Sequence, residues 1–187
     1  MTTTRPTKLN TADMAYIALF TVAIAICSWI SVPATVPFTL QTFGVFLAAA
    51  VLGGKRGTLA VLVYLALGMA GVPVFAGFQG GMGCLLGSTG GYLIGLIPAV
   101  IIGGLMVRSE KEKPLWYYLL ASFVATVAIY IPGLFWLGFS RHLTLSQTLA
   151  GGLTPFIVGD VLKMIVSSLV AWKLRPQVLS MLKSESE

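Results

Sequence analysis

The chain has 187 residues, 57% of them hydrophobic and 10% charged, with a formal net charge of +6 and a mean hydropathy of +0.91. Soluble domains carry about 25% charged residues, so most of this surface faces lipid. The length suits one domain, and crossing the bilayer leaves no room for a soluble catalytic one. The basic residues fall singly or in pairs between apolar runs, and no basic helix is interleaved with aromatics, which argues against nucleic acid as a partner.

Taken in chain order, residues 1–13 are polar and precede a long apolar segment without a small-residue cleavage pattern. They read as a cytoplasmic tail rather than a signal peptide. A bilayer core about 30 Å thick needs roughly 20 apolar residues as helix. The first span is predicted over 14–32, and a loop with Pro33 and Pro37 follows. A short apolar run, 40–52, is separated from a third segment, 58–69, by the turn Gly53-Gly54-Lys55-Arg56-Gly57. Residues 70–81 are rich in glycine and proline and read as an irregular connection. Three longer segments are predicted over 82–107, 115–137 and 149–172, followed by a second cytoplasmic tail from 177 to 187. The expected architecture is an all-α membrane domain of six helices over 14–176. The second and third segments are short for full spans. The loops beside them, 33–39 and 70–81, are apolar enough to dip into the membrane, where irregular backbone survives only if buried or lining a cavity.

Orientation follows from the 12 lysines and arginines. With an even number of spans, Arg5, Lys8, Lys55, Arg56, Arg108, Lys111, Lys113, Lys173, Arg175 and Lys183 share one side. Arg141 alone lies on the other, and Lys163 is within a span. This bias places both termini in the cytoplasm and turns the two irregular loops outward.

Gly83, Gly87, Gly91 and Gly95 recur every four residues, and Ala99 and Gly103 continue the series. Such a stripe lies on one helix face and admits a neighbouring helix close to the backbone. Helix packing is the expected role, with its outer end, near Gln79, also suited to a bound solute. Cys27 and Cys84 have no metal or redox spacing, and His142 is the sole histidine, so no metal or other cofactor is expected.

Of six acidic residues, Asp160 alone lies in a predicted span, and Lys163 follows three positions later on the same helix face. A charge at the bilayer centre costs about 2.5–3.5 kcal/mol even on lenient scales. Lys163 is ten residues before Lys173, roughly 15 Å of helix from the cytoplasmic boundary. Pro155 and Gly159 loosen the outer end of that helix. A self-neutralised packing pin is one reading; a solute-binding pair facing an outward cavity is the other, and intramembrane ionisable groups favour the second. One intramembrane acid offers no chain of groups for a proton relay. Thr39, Gln41, Thr42, Gln79, Ser88, Thr89 and Tyr92 fall at comparable outward depth, with Phe38, Phe75 and Phe78 beside them. Together they describe an apolar pocket with a few polar groups.

Four ordered motifs carry a family resemblance. Val36-Pro37-Phe38-Thr39-Leu40-Gln41-Thr42, Gly71-Val72-Pro73-Val74-Phe75-Ala76-Gly77, Gly87-Ser88-Thr89-Gly90-Gly91-Tyr92 and Gly159-Asp160-Val161-Leu162-Lys163 resemble the BioY family. These are the biotin-specific membrane subunits (S components) of energy-coupling factor (ECF) transporters. The similarity runs from Met14 to Pro176. It implies a six-helix biotin-capture subunit of the bacterial plasma membrane, working with a transmembrane coupling protein and two cytoplasmic ATPases. Consistently, Gly54-Lys55 is followed by Arg56, so the chain has no phosphate-binding loop. Transport in this class is thought to proceed by toppling of the subunit in the membrane. The resemblance implies that Asp160 receives a ureido N–H of biotin and that Gln79, Gln41 and Tyr92 serve the remaining polar groups, with Thr39 also at the binding site. Lys163 would meet the carboxylate, with the ureido oxygen as the alternative partner, and Phe75 and Phe78 would close over the rings. The alanine-xxx-alanine docking face common on the first helix of this class is absent. Ala15, Ala18 and Ala23 are the small residues left for partner docking, and no two are four apart. The competing readings are an autonomous biotin transporter acting as an oligomer, and a membrane enzyme. Secondary transporters often show internal repeats, and none is found; one Asp, one Lys and no intramembrane His leave little for acid–base catalysis.

Overall fold

The computed structural model describes residues 9–107 and 113–184. Arg5, Lys8, Arg108 and Lys111 of the basic set lie outside the described residues, as does the side chain of Lys183. Helix α1, Thr11–Trp29, opens on a capping box in which Asn10 and Asp13 satisfy each other's backbone N–H groups. It ends three residues before the expected boundary because Ser31–Val32 (β1) leaves the helix to pair with Phe38–Thr39 (β2) in a small antiparallel hairpin. Asp13, expected in the tail, is buried and forms an ion pair with Arg56 at 2.6 Å.

Helix α2, Gln41–Met69, is broken at Gly53, whose φ of 77° lies in the left-handed region. The break is a turn-back. A Cβ on Gly57 would sit 2.8 Å from the carbonyl oxygen of Ala48, whereas nine residues of continuous helix cover roughly 13 Å. The limbs 41–52 and 54–69 therefore lie against each other, as the Gly-Gly-Lys-Arg-Gly turn predicts. Both limbs lie along α1: Gly44 packs on Ile24, Thr21 donates to the Ala60 carbonyl at 3.1 Å, and Tyr64 donates to Ser28 at 3.2 Å. The break leaves the last carbonyls of the first limb without helical partners. Arg175, read from sequence as a loop charge, is instead buried and donates to the Ala50 carbonyl at 2.7 Å and to that of Val51 at 3.3 Å.

The fourth and sixth predicted segments are each interrupted near the outer loops. α3 (Met82–Leu86) stops before α4 (Gly90–Met106), because the chain folds so tightly that a Cβ on Gly90 would overlap the Leu85 carbonyl. α5 runs over Leu115–Arg141. α6 (Leu145–Gly152) is bent 47° from α7 (Ile157–Ser184). Pro155 lies in the break, where it lacks a donor and disfavours helix at the residue before it. α7 continues through Pro176, past the expected boundary.

The core lies between the limbs of α2 and the facing sides of α1, α4, α5 and α7. The glycine stripe packs α4 on α5: a Cβ on Gly91 would lie 2.3 Å from the Pro132 carbonyl oxygen, and one on Gly95 2.9 Å from that of Ile129. Gly83 and Gly87 fall outside α4 and do not share that packing. Ser122 and Ser168 join α5 to α7 at 3.3 Å, an interhelical bond of the kind membrane bundles use. The opposite face of α5 exposes Phe123, Ile131, Phe135 and Phe139. Among the described residues, three helices are long and apolar enough to cross a membrane, or four if the bent α6–α7 pair is one span.

Candidate functional site

A cavity with about 840 Å³ of empty space, its open mouth included, lies beneath the two irregular loops. Its walls are mainly apolar with a few polar groups, the make-up of a small-molecule site. The hairpin supplies Val36, Pro37 and Thr39, the start of α2 supplies Gln41 and Thr42, and the second loop supplies Phe75, Ala76 and Gln79. Leu93 and Leu96 of α4 and Thr126, Ile129 and Tyr130 of α5 form other walls, facing Asp160 and Lys163 of α7.

Asp160 sits in the first turn of α7, where the helix dipole favours an anion. Its two oxygens have separate partners. Lys163 Nζ contacts Oδ1 at 2.6 Å, and the Tyr130 hydroxyl donates to Oδ2 at 2.5 Å. Lys163 also donates to the Thr39 carbonyl at 3.0 Å and to Thr42 Oγ1 at 3.2 Å, and its ammonium lies 4.4 Å from the centre of the Phe38 ring. Both charged residues are buried, with 7% and 6% exposure. Each carboxylate oxygen retains a further lone-pair direction, so the pair offers an acceptor at the cavity wall, while Asp160, Thr39 and Thr42 already take the three protons of the Lys163 ammonium.

Of the residues singled out from sequence, Asp160, Lys163, Gln79, Tyr92, Gln41, Thr39 and Phe75 all line this cavity. Gln41 is 9% exposed, and its Nε2 is the one buried side-chain nitrogen or oxygen among the described residues without a hydrogen-bond partner. An orphaned donor in a cavity wall is a place for a ligand acceptor. Tyr92 presents its ring, because its hydroxyl donates to the Gly152 carbonyl at 2.9 Å. Gln79 is exposed at the mouth, its Oε1 accepting from the Cys84 thiol at 3.8 Å. Phe78 is not brought to the cavity: it is 63% exposed and stacks on Trp29 at 5.0 Å. The left-handed φ of 66° at Gly77 and 57° at Phe78 turns its side chain away from the neighbouring Phe75. Ala15 and Ala18 are exposed on α1 beside Leu19 and Val22, and Ala23 is half-buried.

The contribution of α5 escapes a reading centred on charge. Tyr130, Thr126, Ser122 and Tyr118 are spaced four apart in an otherwise apolar helix. That polar stripe, one helix face by spacing, marks the side that meets Asp160 and Ser168.

A family model described as the BioY family matches residues 1–180. The chain is 46% identical over 159 residues to "Biotin transporter BioY" of Thermotoga maritima, covering 84% of this chain and 92% of that protein. It is 39% identical over 174 residues to "Biotin transporter BioY" of Rhodobacter capsulatus, covering 87% and 90%. Among solved structures, it is similar to the S-component for biotin from an ECF-type ABC transporter, with a TM-score of 0.80 and 29% identity. That likeness covers 87% of this chain and 90% of the other.

Proposed function

The chain belongs to the BioY family, and on that premise we propose that it captures biotin in the loop-covered cavity and serves its uptake as the S component of an ECF transporter. A transport subunit, not an enzyme, is what the names of its relatives describe. The observation that carries the ligand reading is the buried, contacting Asp160–Lys163 pair at a cavity that also holds the unpartnered donor of Gln41. A bicyclic vitamin with apolar rings, a ureido group and a flexible acid tail suits those walls.

The contact between the two heads favours the ureido ring as their joint partner. A cyclic urea displays N–H beside C=O along one edge, the complement of a carboxylate beside an ammonium. Asp160 accepts a ureido N–H, Lys163 exchanges its bond to Thr42 for one to the ureido oxygen, and Gln41 supplies a second donor. Thr39 and Tyr92 border the rings, and Phe75 covers them. The tail carboxylate then points to the mouth at Gln79, where water keeps it solvated and no second buried cation is needed. On this reading 2-iminobiotin, which replaces the ureido oxygen with a protonatable nitrogen facing Lys163, binds far more weakly than biotin. Biotin methyl ester stays within about tenfold, a loss of one exposed charge being worth little.

In the membrane, the two limbs of α2 count as separate crossings and the α3–α4 and α6–α7 pairs as one each. Together with α1 and α5 they form a six-helix body over residues 14–176 with both termini cytoplasmic. The plasma membrane is its proposed location. An ECF coupling protein with two ATPases is its proposed partner, docking on the exposed side of α1 at Ala15 and Ala18. Saturable binding of radiolabelled biotin to the purified chain tests the ligand, and its absence refutes the reading. Biotin uptake that persists after deletion of every ECF ATPase refutes the coupling.

A further inference from the structure

Of the Gly159-Asp160-Val161-Leu162-Lys163 run, the cavity uses Asp160 and Lys163 and leaves out Gly159, Val161 and Leu162. Gly159 is outside the cavity lining, on the side where the hairpin meets α7. A Cβ placed on it would lie 2.2 Å from Cζ and 2.4 Å from Cε2 of Phe38. The ring therefore rests on bare helix backbone, closer than any side chain permits. Gly159 and Lys163 are four apart and share one helix face. One turn beyond its seat, the same ring lies 4.4 Å below the Lys163 ammonium, a cation–π distance. Phe156 stacks on it at 6.0 Å with an interplanar angle of 19°.

The seat has a consequence for the neighbouring residue. Phe38 and Thr39 form β2, so the depth at which the ring docks on α7 sets the position of the Thr39 carbonyl. That carbonyl accepts from Lys163 Nζ at 3.0 Å, while Thr42 in the first turn of α2 accepts at 3.2 Å. Raising the ring by the width of a methyl group displaces the hairpin from α7 and moves one of the acceptors that aim the ammonium.

We propose that Gly159 is a positioning residue for ligand binding: its missing side chain seats Phe38 and so holds the Thr39 carbonyl where it aims Lys163 at the ligand. This rests on the assignment of biotin to the cavity. Gly159 acts through Phe38 and Lys163 and touches no ligand itself.

The test is a biotin titration of the purified wild-type chain, Gly159→Ala, Phe38→Leu and the double variant, with a thermal melt of each. Leucine lacks the Cε and Cζ atoms that the new methyl group would overlap. Gly159→Ala is expected to weaken biotin binding by about tenfold or more, the size of an overpacking penalty expressed at the site. Phe38→Leu alone is expected to weaken it by only about threefold, the ring contact being one of several held by Lys163. The double variant is expected to bind like Phe38→Leu, recovering most of what Gly159→Ala lost. Binding by Gly159→Ala within about twofold of wild type, inside ordinary surface-mutation scatter, overturns the proposal. So does a double variant no better than Gly159→Ala, because the glycine then matters to the helix and not to the ring. If Gly159→Ala does not fold, the double variant decides: it must fold and bind, and failure to do either is contrary. A wild-type chain that binds no biotin refutes the ligand assignment instead.

Discussion

Two loops cover the cavity, and each is held by a phenylalanine ring set on a helical glycine, yet they are tied to different things. In the second loop Phe75 is 3% exposed, lines the cavity, and rests on Gly68, where a Cβ would meet its ring at 2.0 Å. Its neighbour is Tyr64, edge-on at 5.5 Å. The loop is pinned again by Trp29, whose indole N–H donates to the Pro73 carbonyl at 2.8 Å and whose ring stacks on Phe78. In the hairpin, Phe38 rests on Gly159 outside the cavity, and its neighbour is the ammonium of Lys163. One loop is fastened by apolar and neutral contacts to α1 and α2. The other is fastened to the charged pair. Only the hairpin shares a residue's hydrogen bonds with the proposed ligand, so its position bears on the charged pair, whereas that of the second loop bears on the cover over the rings.

That contrast can be broken at several points. The largest effect is expected from Lys163→Met, which leaves Asp160 as an unpaired buried charge and unfastens the hairpin. Removing one partner of a buried pair costs about 3–5 kcal/mol, so a biotin titration is expected to show affinity down by more than about a hundredfold and a melt to show lower stability. Gly68→Ala is expected to come next. Forcing Phe75 from its seat is an overpacking change worth about 1–3 kcal/mol of stability, seen as a lower melting temperature, with weaker binding that no substitution at Phe38 repairs. Tyr130→Phe removes one hydrogen bond from Asp160 and keeps the ring. A loss of about 1–2 kcal/mol, or roughly tenfold in affinity, is expected in the same titration. Trp29→Phe is expected to matter least. It keeps an aromatic partner for Phe78 and loses one partly exposed donor, worth about 0.5 kcal/mol in the melt.

The sequence made the membrane class, the helical segments and the charged pair legible, because each depends on local composition. Asp160 and Lys163 stand out from an apolar helix by cost alone, and Gly53 marks the turn of α2 by its neighbours Gly54, Lys55 and Arg56. Tertiary partners were less legible. Arg175 looks like any boundary cation until the break at Gly53 exposes the carbonyls of Ala50 and Val51 to it. Asp13 looks like a tail residue until the turn of α2 returns Arg56 to it. Phe75 and Phe78 are equivalent in composition, and two left-handed residues between and at them send one ring inward and the other onto Trp29. Tyr130 was readable in principle, from the polar stripe on α5, because hydroxyls recurring every fourth residue in a membrane helix need partners as charges do.

Asp160 and Lys163 are proposed to be kept for a ligand and not for holding the bundle together. Buried ion pairs replaced together by apolar residues of similar size commonly leave stability unchanged or raised, whereas a single removal does not. The direct measurement is the melting temperature and biotin affinity of the double variant Asp160→Leu/Lys163→Met beside the wild-type chain. Melting at or above the wild-type temperature with biotin binding abolished is the predicted result. A double variant that still binds biotin as the wild type does, or one that unfolds while Lys163→Met alone does not, would contradict it.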